Sequence, residues 1–173
     1  MSTKLFFLAL LQLGLSLILA VSVAYLTFKI FRYFLVKRYK IEIENLAFAI
    51  LSGAILLAVA HIVSGVVQPV LSVIRTLAEY SQSTSYVILK SIQYSVLFVG
   101  LGFSIAFIVT ITGLFLFTLL TRSINEFEEI SKDNRAVGIL TGVIIIVIAI
   151  FVKDSAVLLL ESLIPYPEFP VKT

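Results

Sequence analysis

Polar and apolar positions fall along this chain in long blocks rather than in short periods. Four windows, Leu5–Phe28, Asn45–Ile74, Ser91–Thr121 and Ala136–Val152, hold no Asp, Glu, Lys or Arg, and His61 is the one histidine within them. A helix that crosses a bilayer needs about 20 apolar residues, with a range near 17–25. In lipid the backbone must satisfy its own hydrogen bonds, so each window predicts a helix. The pattern predicts an all-α membrane protein with four transmembrane helices, a single integral membrane domain over residues 1–173. The fourth window is only 17 residues long, and apolar character resumes at Ala156–Ile164 beyond Lys153-Asp154. That helix either ends at Lys153 or continues with the lysine snorkelling to the interface. Pro165 and Pro167 then stop it.

The first window has a rival reading. Lys4, the apolar Leu5–Leu19 and Ser22-Val-Ala24 also resemble a cleavable secretory leader. The apolar run continues through Phe28, which favours a retained span.

Composition agrees with the blocks: 60% of residues are hydrophobic and 13% charged. Soluble domains carry roughly 25% charged residues. The net charge of +3 comes from the loops and gives no reason to expect nucleic acid. With no cysteine, disulfides, Cys metal sites and thiol chemistry are excluded.

Basic residues set the expected orientation. Eight (Lys29, Arg32, Lys37, Arg38, Lys40, Arg122, Lys132, Arg135) flank the loops after the first and third spans, against five (Lys4, Arg75, Lys90, Lys153, Lys172) on the other side. Lys and Arg concentrate on the cytoplasmic side. The expectation is a multi-pass protein of the plasma (inner) membrane, termini extracytoplasmic, charged loops 29–44 and 122–135 cytoplasmic.

One polar-to-apolar junction occurs twice. Glu44-Asn-Leu-Ala-Phe-Ala-Ile-Leu-Ser-Gly53 returns 89 positions later as Asp133-Asn-Arg-Ala-Val-Gly-Ile-Leu-Thr-Gly142. Apolar matches arise easily by accident, but the chain has three asparagines and two hold this place. Each unit gives helix, charged loop, acid-Asn, helix. Two spans per unit return the chain to its starting side, which predicts two parallel tandem two-helix repeats about an axis along the membrane normal. Unit one covers 5–74 and unit two 94–164, with an extracytoplasmic connector at 68–93.

At 100° per residue, Asn45, Ala49, Ser52, Leu56 and Val63 share a face, with Gly53 and Ala60 on its shoulder. Asn134, Gly138, Thr141, Ile145 and Val152 form the counterpart, flanked by Gly142 and Ala149. Small residues four apart let membrane helices approach closely, so Gly138-x-x-x-Gly142 and Ala49-x-x-x-Gly53 predict a packing seam between the second and fourth spans. Asn at a helix start caps free amides, and a preceding acid suits the positive helix end. The alternative is a polar path along the pseudo-axis, entered at Glu44, Asn45, Asp133 and Asn134 and lined by Ser52 and Thr141.

The doubled element acid-Asn-x-Ala-x-x-Ile-Leu-[Ser/Thr]-Gly, in a four-helix chain that ends near Pro165-Tyr-Pro167, resembles the YjfL-like inner-membrane family. That family is a prokaryotic domain of unknown function built from duplicated two-helix units. Asn45, Gly53, Asn134 and Gly142 carry the likeness, which covers nearly the whole chain. The resemblance implies a small plasma-membrane protein. Relatives stand near phage-shock-like stress proteins and polyamine-ligase-like enzymes, which implies envelope maintenance. It implies no established activity and no catalytic residues.

Three ionisable residues are candidates within the apolar blocks. His61 is expected at about mid-depth in the second span, where an embedded ionisable group suggests function and a neutral interhelical hydrogen bond is the plainer role. A proton role would show near an unperturbed value of about 6.5. Lys153 and Asp154 are expected at the outer interface, or paired across the bundle. After Pro69, Val70-Leu71-x-x-Ile74-x-x-Leu77 predicts an amphipathic segment lying in the interface. Asn125-Glu-Phe-Glu-Glu-Ile-Ser-Lys-Asp133 is expected as an acidic loop that can pair with the basic Lys37–Lys40 stretch within or between subunits, and the basic stretch can also touch anionic lipid heads.

No phosphate loop, nucleophile-base set or metal-ligand cluster appears in the sequence, so no enzyme, cofactor or metal is expected. The expected role is a non-enzymatic membrane subunit that self-associates or joins other membrane-protein subunits as an envelope scaffold or accessory factor. The alternative is an oligomeric ion channel or small transporter. Expected partners are the lipid bilayer and further copies or subunits.

Overall fold

The computed structural model describes residues 3–39, 44–80, 84–121 and 125–164. Pro165, Pro167, Lys40, Arg122 and Lys172 lie outside the described residues. The described chain is helical: α1 (Thr3–Tyr39), α2 (Leu46–Ser64), α3 (Val67–Tyr80), α4 (Thr84–Leu120), α5 (Glu126–Ser131) and α6 (Arg135–Glu161). Among the described residues, four stretches are long and apolar enough to cross a membrane: Ser16–Phe34, Leu46–Leu77, Ser85–Leu119 and Arg135–Glu161.

α1, α4 and α6 outrun the charge-free windows. α1 and α4 have 37 residues each, about 55 Å at 1.5 Å per residue, against a hydrocarbon core of about 30 Å. Lys29, Arg32 and Lys37 continue α1 because Lys and Arg are good helix formers and nothing there breaks the helix. Lys29 and Lys37 fold over the rings of Tyr25 and Tyr33 at 5.6 and 5.1 Å. α6 passes through Lys153-Asp154 without interruption, so the helix does not end at Lys153.

α2 is the central helix. Leu51, Ile55, Ala58, Val59, Ile62 and Val63 are buried along one broad face, and α1, α4 and α6 all pack against the helix. The close approaches fall at glycines. A Cβ on Gly138 would lie 2.9 Å from the Ala47 carbonyl oxygen, and one on Gly142 would lie 2.8 Å from the Ala54 Cβ. Farther along, Gly65 meets Val157 and, at 3.6 Å, the Lys153 Cε. Start meets start and end meets end, so α2 and α6 run parallel. Hydrophobic burial gives little drive between helices in lipid, and close backbone packing at small residues takes its place.

α2 is shorter than its apolar window because the chain turns at Gly65-Val66, where the amides bond back to Ile62 and Val63 carbonyls at 3.1 and 2.9 Å. Pro69 sits in the first turn of α3, where a missing N–H costs nothing. The amphipathic segment after Pro69 is helical. Val70, Leu71 and Val73 are buried, and α3 packs on α4 and α6, so its apolar face is covered by protein. Phe98, Tyr94, Leu160 and Ile164 belong to the same apolar cluster.

Candidate functional site: the paired helix starts

Both acid-Asn elements sit where a helix begins. Asn45 has extended backbone (φ −66°, ψ 117°), and its Oδ1 accepts from the Phe48 amide at 2.7 Å. Asn134 is similar (φ −72°, ψ 93°), and its Oδ1 accepts from the Val137 amide at a longer 3.4 Å. Each side chain satisfies one of the amides a helix start leaves free.

Their second bonds differ. Asn45 Nδ2 donates to the Ile130 carbonyl at 2.7 Å and the Ser131 carbonyl at 3.3 Å. It thereby ties the start of α2 to the last turn of α5. Asn134 Nδ2 instead donates to Glu129 Oε2 at 2.8 Å. Asn45 is 9% exposed, whereas Asn134 is half-buried.

The acids divide the same way. Asp133 Oδ1 accepts from the Ala47 amide at 2.8 Å, so the acid of the second element caps the helix of the first. Asp133 holds φ 61°, a left-handed conformation that Asp tolerates better than most residues. The Ala47 amide, helped by the Arg135 guanidinium at 3.4 Å, holds the Asp133 carboxyl below its ordinary range against a smaller opposing effect of desolvation. Glu44 is exposed.

The expected acidic loop contains a helix. Asn125 Oδ1 accepts from the Glu128 amide at 3.3 Å and starts α5, so all three asparagines of the chain cap helices. Lys132 pairs with Glu128 at 3.0 Å and Glu129 at 3.2 Å. These bonds raise the Lys132 ammonium above its ordinary value, Glu128 contributing most. Bonds from Asn134 first, then Lys132, hold Glu129 low. The acids Glu128 and Glu129 thus pair locally with Lys132 in the turn after α5, while Lys40 and the side chain of Arg38 lie outside the described residues. Glu126, absent from the sequence candidates, is 3% exposed; its Oε1 accepts from the Thr121 hydroxyl, and its Oε2 has no partner. Asn before Glu-Phe-Glu-Glu was the available signal for this helix start.

The small and hydroxyl residues separate. Gly138 and Gly142 meet Ala47 and Ala54 in the α2–α6 seam. Ala49 is exposed and Gly53 has open space where a Cβ would stand, so both lie outside the seam. The reason is angular: at 100° per residue, Ala47 and Ala54 sit about 100–160° from Ala49 and Gly53 around α2. Ser52 (6% exposed) and Thr141 (1%) are buried with unpaired hydroxyls, as is Thr27. Ser52 lies about 160° around α2 from Ala54, so it faces away from the seam that Thr141 borders. Other membrane hydroxyls bond back one turn, as Thr110 does to the Ala106 carbonyl at 2.7 Å.

His61 sits in the last turn of α2, which is the middle of the apolar stretch Leu46–Leu77. Lys153 reaches Gly65 and is half-buried, while Asp154 is exposed. Among the described residues, no three His, Cys, Asp or Glu side chains gather in a metal-ligand group.

No curated protein and no solved structure matches this chain. The family model described as Domain of Unknown Function (DUF350) matches residues 1–156, and the chain belongs to that family.

Proposed function

We propose that the chain is a non-enzymatic subunit of the plasma membrane that self-associates or joins other membrane-protein subunits as an envelope scaffold or accessory factor. One observation carries this reading. Gly138 and Gly142 are used up in the internal seam, while the matching pair Ala49 and Gly53 on α2 is open to the outside. Close-approach residues left on the face of a central helix suit a second helix from outside the chain. The channel reading has less support, because the Asn45 and Asn134 amides are engaged as caps and Ser52 and Thr141 border different seams.

The reading includes two parallel tandem units, α1 with α2 and α4 with α6, on an axis between α2 and α6. The parallel course of those helices and their shared Asn caps support it. It also includes extracytoplasmic termini, supported by the excess of basic residues near the paired helix starts.

The absence of cysteine makes the test direct. Single substitutions Ala49→Cys and Leu57→Cys, oxidised in native membranes, are expected to give crosslinked dimers or adducts to a defined partner, with Phe151→Cys on α6 as the control. Crosslinking no stronger than in the control would overturn the proposal.

A further inference from the structure

α2 and α6 carry matching sequence but bury different faces of it. Each α2 position has its counterpart 89 residues later in α6. On α2, Ala47, Leu51, Ala54 and Ala58 are buried, and Ala47 and Ala54 meet α6. Their counterparts Ala136, Leu140, Val143 and Val147 are all exposed. On α6, Gly138, Gly142 and Ala149 are buried, the two glycines against α2. Their counterparts Ala49 and Ala60 are exposed, and at Gly53 a Cβ would meet nothing within 4 Å. The seam therefore joins unlike faces of two similar helices. One face of each kind is left over: the small-residue face of α2 and the outer face of α6.

Three other features repeat this imbalance. Leu13-Gly14-x-Ser16 in α1 matches Leu101-Gly102-x-Ser104 in α4. Gly102 meets Val66, whereas a Cβ on Gly14 would meet nothing within 4 Å. Asp133 accepts from the Ala47 amide, whereas its counterpart Glu44 is exposed. The matching Ala136 amide lies in the first turn of α6, where a helix supplies no acceptor of its own. Lastly, α2 packs on both α4 and α6. The corresponding place beside α1 and α2 is a groove of about 450 Å³, whose walls include Leu19 and Ala20 of α1 and Ala60 and Val63 of α2.

We propose that a second copy of the chain fills this place head to tail. The outer face of its α6, at Ala136, Leu140, Val143 and Val147, docks on Ala49, Gly53 and Ala60 of α2 and enters the groove beside α1. The inference rests on the two-unit reading and the self-association proposed above, and adds which faces meet. Glu44 then stands to accept from the neighbour's Ala136 amide, as Asp133 does for Ala47 within the chain. Neighbouring copies are related as the two halves of one chain are, so every copy keeps one orientation in the membrane. Unlike faces build a ring or a row rather than a two-fold pair. Ala49 and Val143 stand where the internal seam has Gly138 and Ala54, so helices of neighbouring copies lie farther apart and hold less tightly.

The test places two differently tagged full-length chains in one membrane, one with Ala49→Cys and one with Ala136→Cys. This pair copies the contact of Gly138 with Ala47, where the two Cβ positions lie 3.3 Å apart, close to disulfide range. Oxidation is expected to join unlike tags at least fivefold more than Ala49→Cys with Leu119→Cys, an exposed position on α4. Adding Val143→Trp to the Ala136→Cys chain is expected to cut the mixed yield at least fivefold. Val143 is exposed, and circular dichroism checks that the variant stays folded. A mixed yield no higher than with Leu119→Cys would overturn the head-to-tail arrangement, as would full yield in the folded Val143→Trp chain. If Ala49→Cys then still crosslinks to itself above its control, self-association survives with like faces paired; if it does not, self-association falls too. Adducts of Ala49→Cys to a different protein, in place of the mixed dimer, would give the open face to that partner and overturn the proposal.

Discussion

Replacing Asn45 with Ala should cost more than the same change at Asn134, although the two stand in matching sequence. At Asn45 the change removes the cap on the Phe48 amide, which is worth about 1 kcal/mol, range 0.5–2. It also takes the 2.7 Å donor from the buried Ile130 carbonyl, which keeps its 3.0 Å bond from the Asp133 amide, and a lost internal hydrogen bond costs about 0.5–1.5 kcal/mol. Together the loss is about 1.5–2.5 kcal/mol. At Asn134 the cap is longer, 3.4 Å, and half-exposed, and its second bond goes to Glu129, which water solvates in its place, so the loss should stay near the low end, about 0.5–1 kcal/mol. The difference is about 1 kcal/mol, roughly fivefold in the unfolding constant. Equilibrium unfolding in mixed micelles, followed by helical circular dichroism, measures both. Asn45→Ser separates the contributions: a hydroxyl keeps an acceptor for the Phe48 amide but loses the reach to α5, so it should recover about the cap alone. Equal costs for the two alanine variants, or a larger cost at Asn134, would refute the assignment of Asn45 as the tie between α2 and α5.

Two other perturbations have definite outcomes. Gly138→Val pushes a side chain into the Ala47 backbone and should destabilise by about 1–3 kcal/mol, whereas Gly53→Val meets open space and should leave stability in the same micelles nearly unchanged. The Asp133 carboxyl is held below its ordinary value by the Ala47 amide, so its stabilisation is complete above the unfolded value of about 3.9 and is lost as pH falls through the lower folded value. A thermal midpoint measured downward from pH 5 should fall in that window for wild type and fall less for Asp133→Asn.

The charge-free blocks made the spans legible, since a bilayer leaves few ways to satisfy a backbone. The caps at Asn45 and Asn134 were legible too, because Asn before an apolar run carries local chemistry. What escaped the sequence is whom each group meets. Whether Asp133 bonds its own helix or another, and whether Ala47 or Ala49 enters the seam, depends on rotations that one helix's periodicity does not fix. The early end of α2 was hidden because Gly65 is unremarkable in an apolar run; its role comes from Val157 and Lys153 standing against it. Asn125 was passed over because the acids after it suggested a solvated loop rather than the negative first turn of a helix.

The bond from the Ala47 amide to Asp133 also orders events in time. During synthesis, α1 and α2 are complete some seventy residues before Asp133 is made. Until then the start of α2 has neither the carboxylate that accepts from Ala47 nor the α5 carbonyls that receive Asn45. The first hairpin enters the bilayer with an unfinished polar end, which the second half of the chain closes. A nascent chain halted before residue 125 should therefore exchange the Ala47 amide readily, and one extended through α6 should protect it.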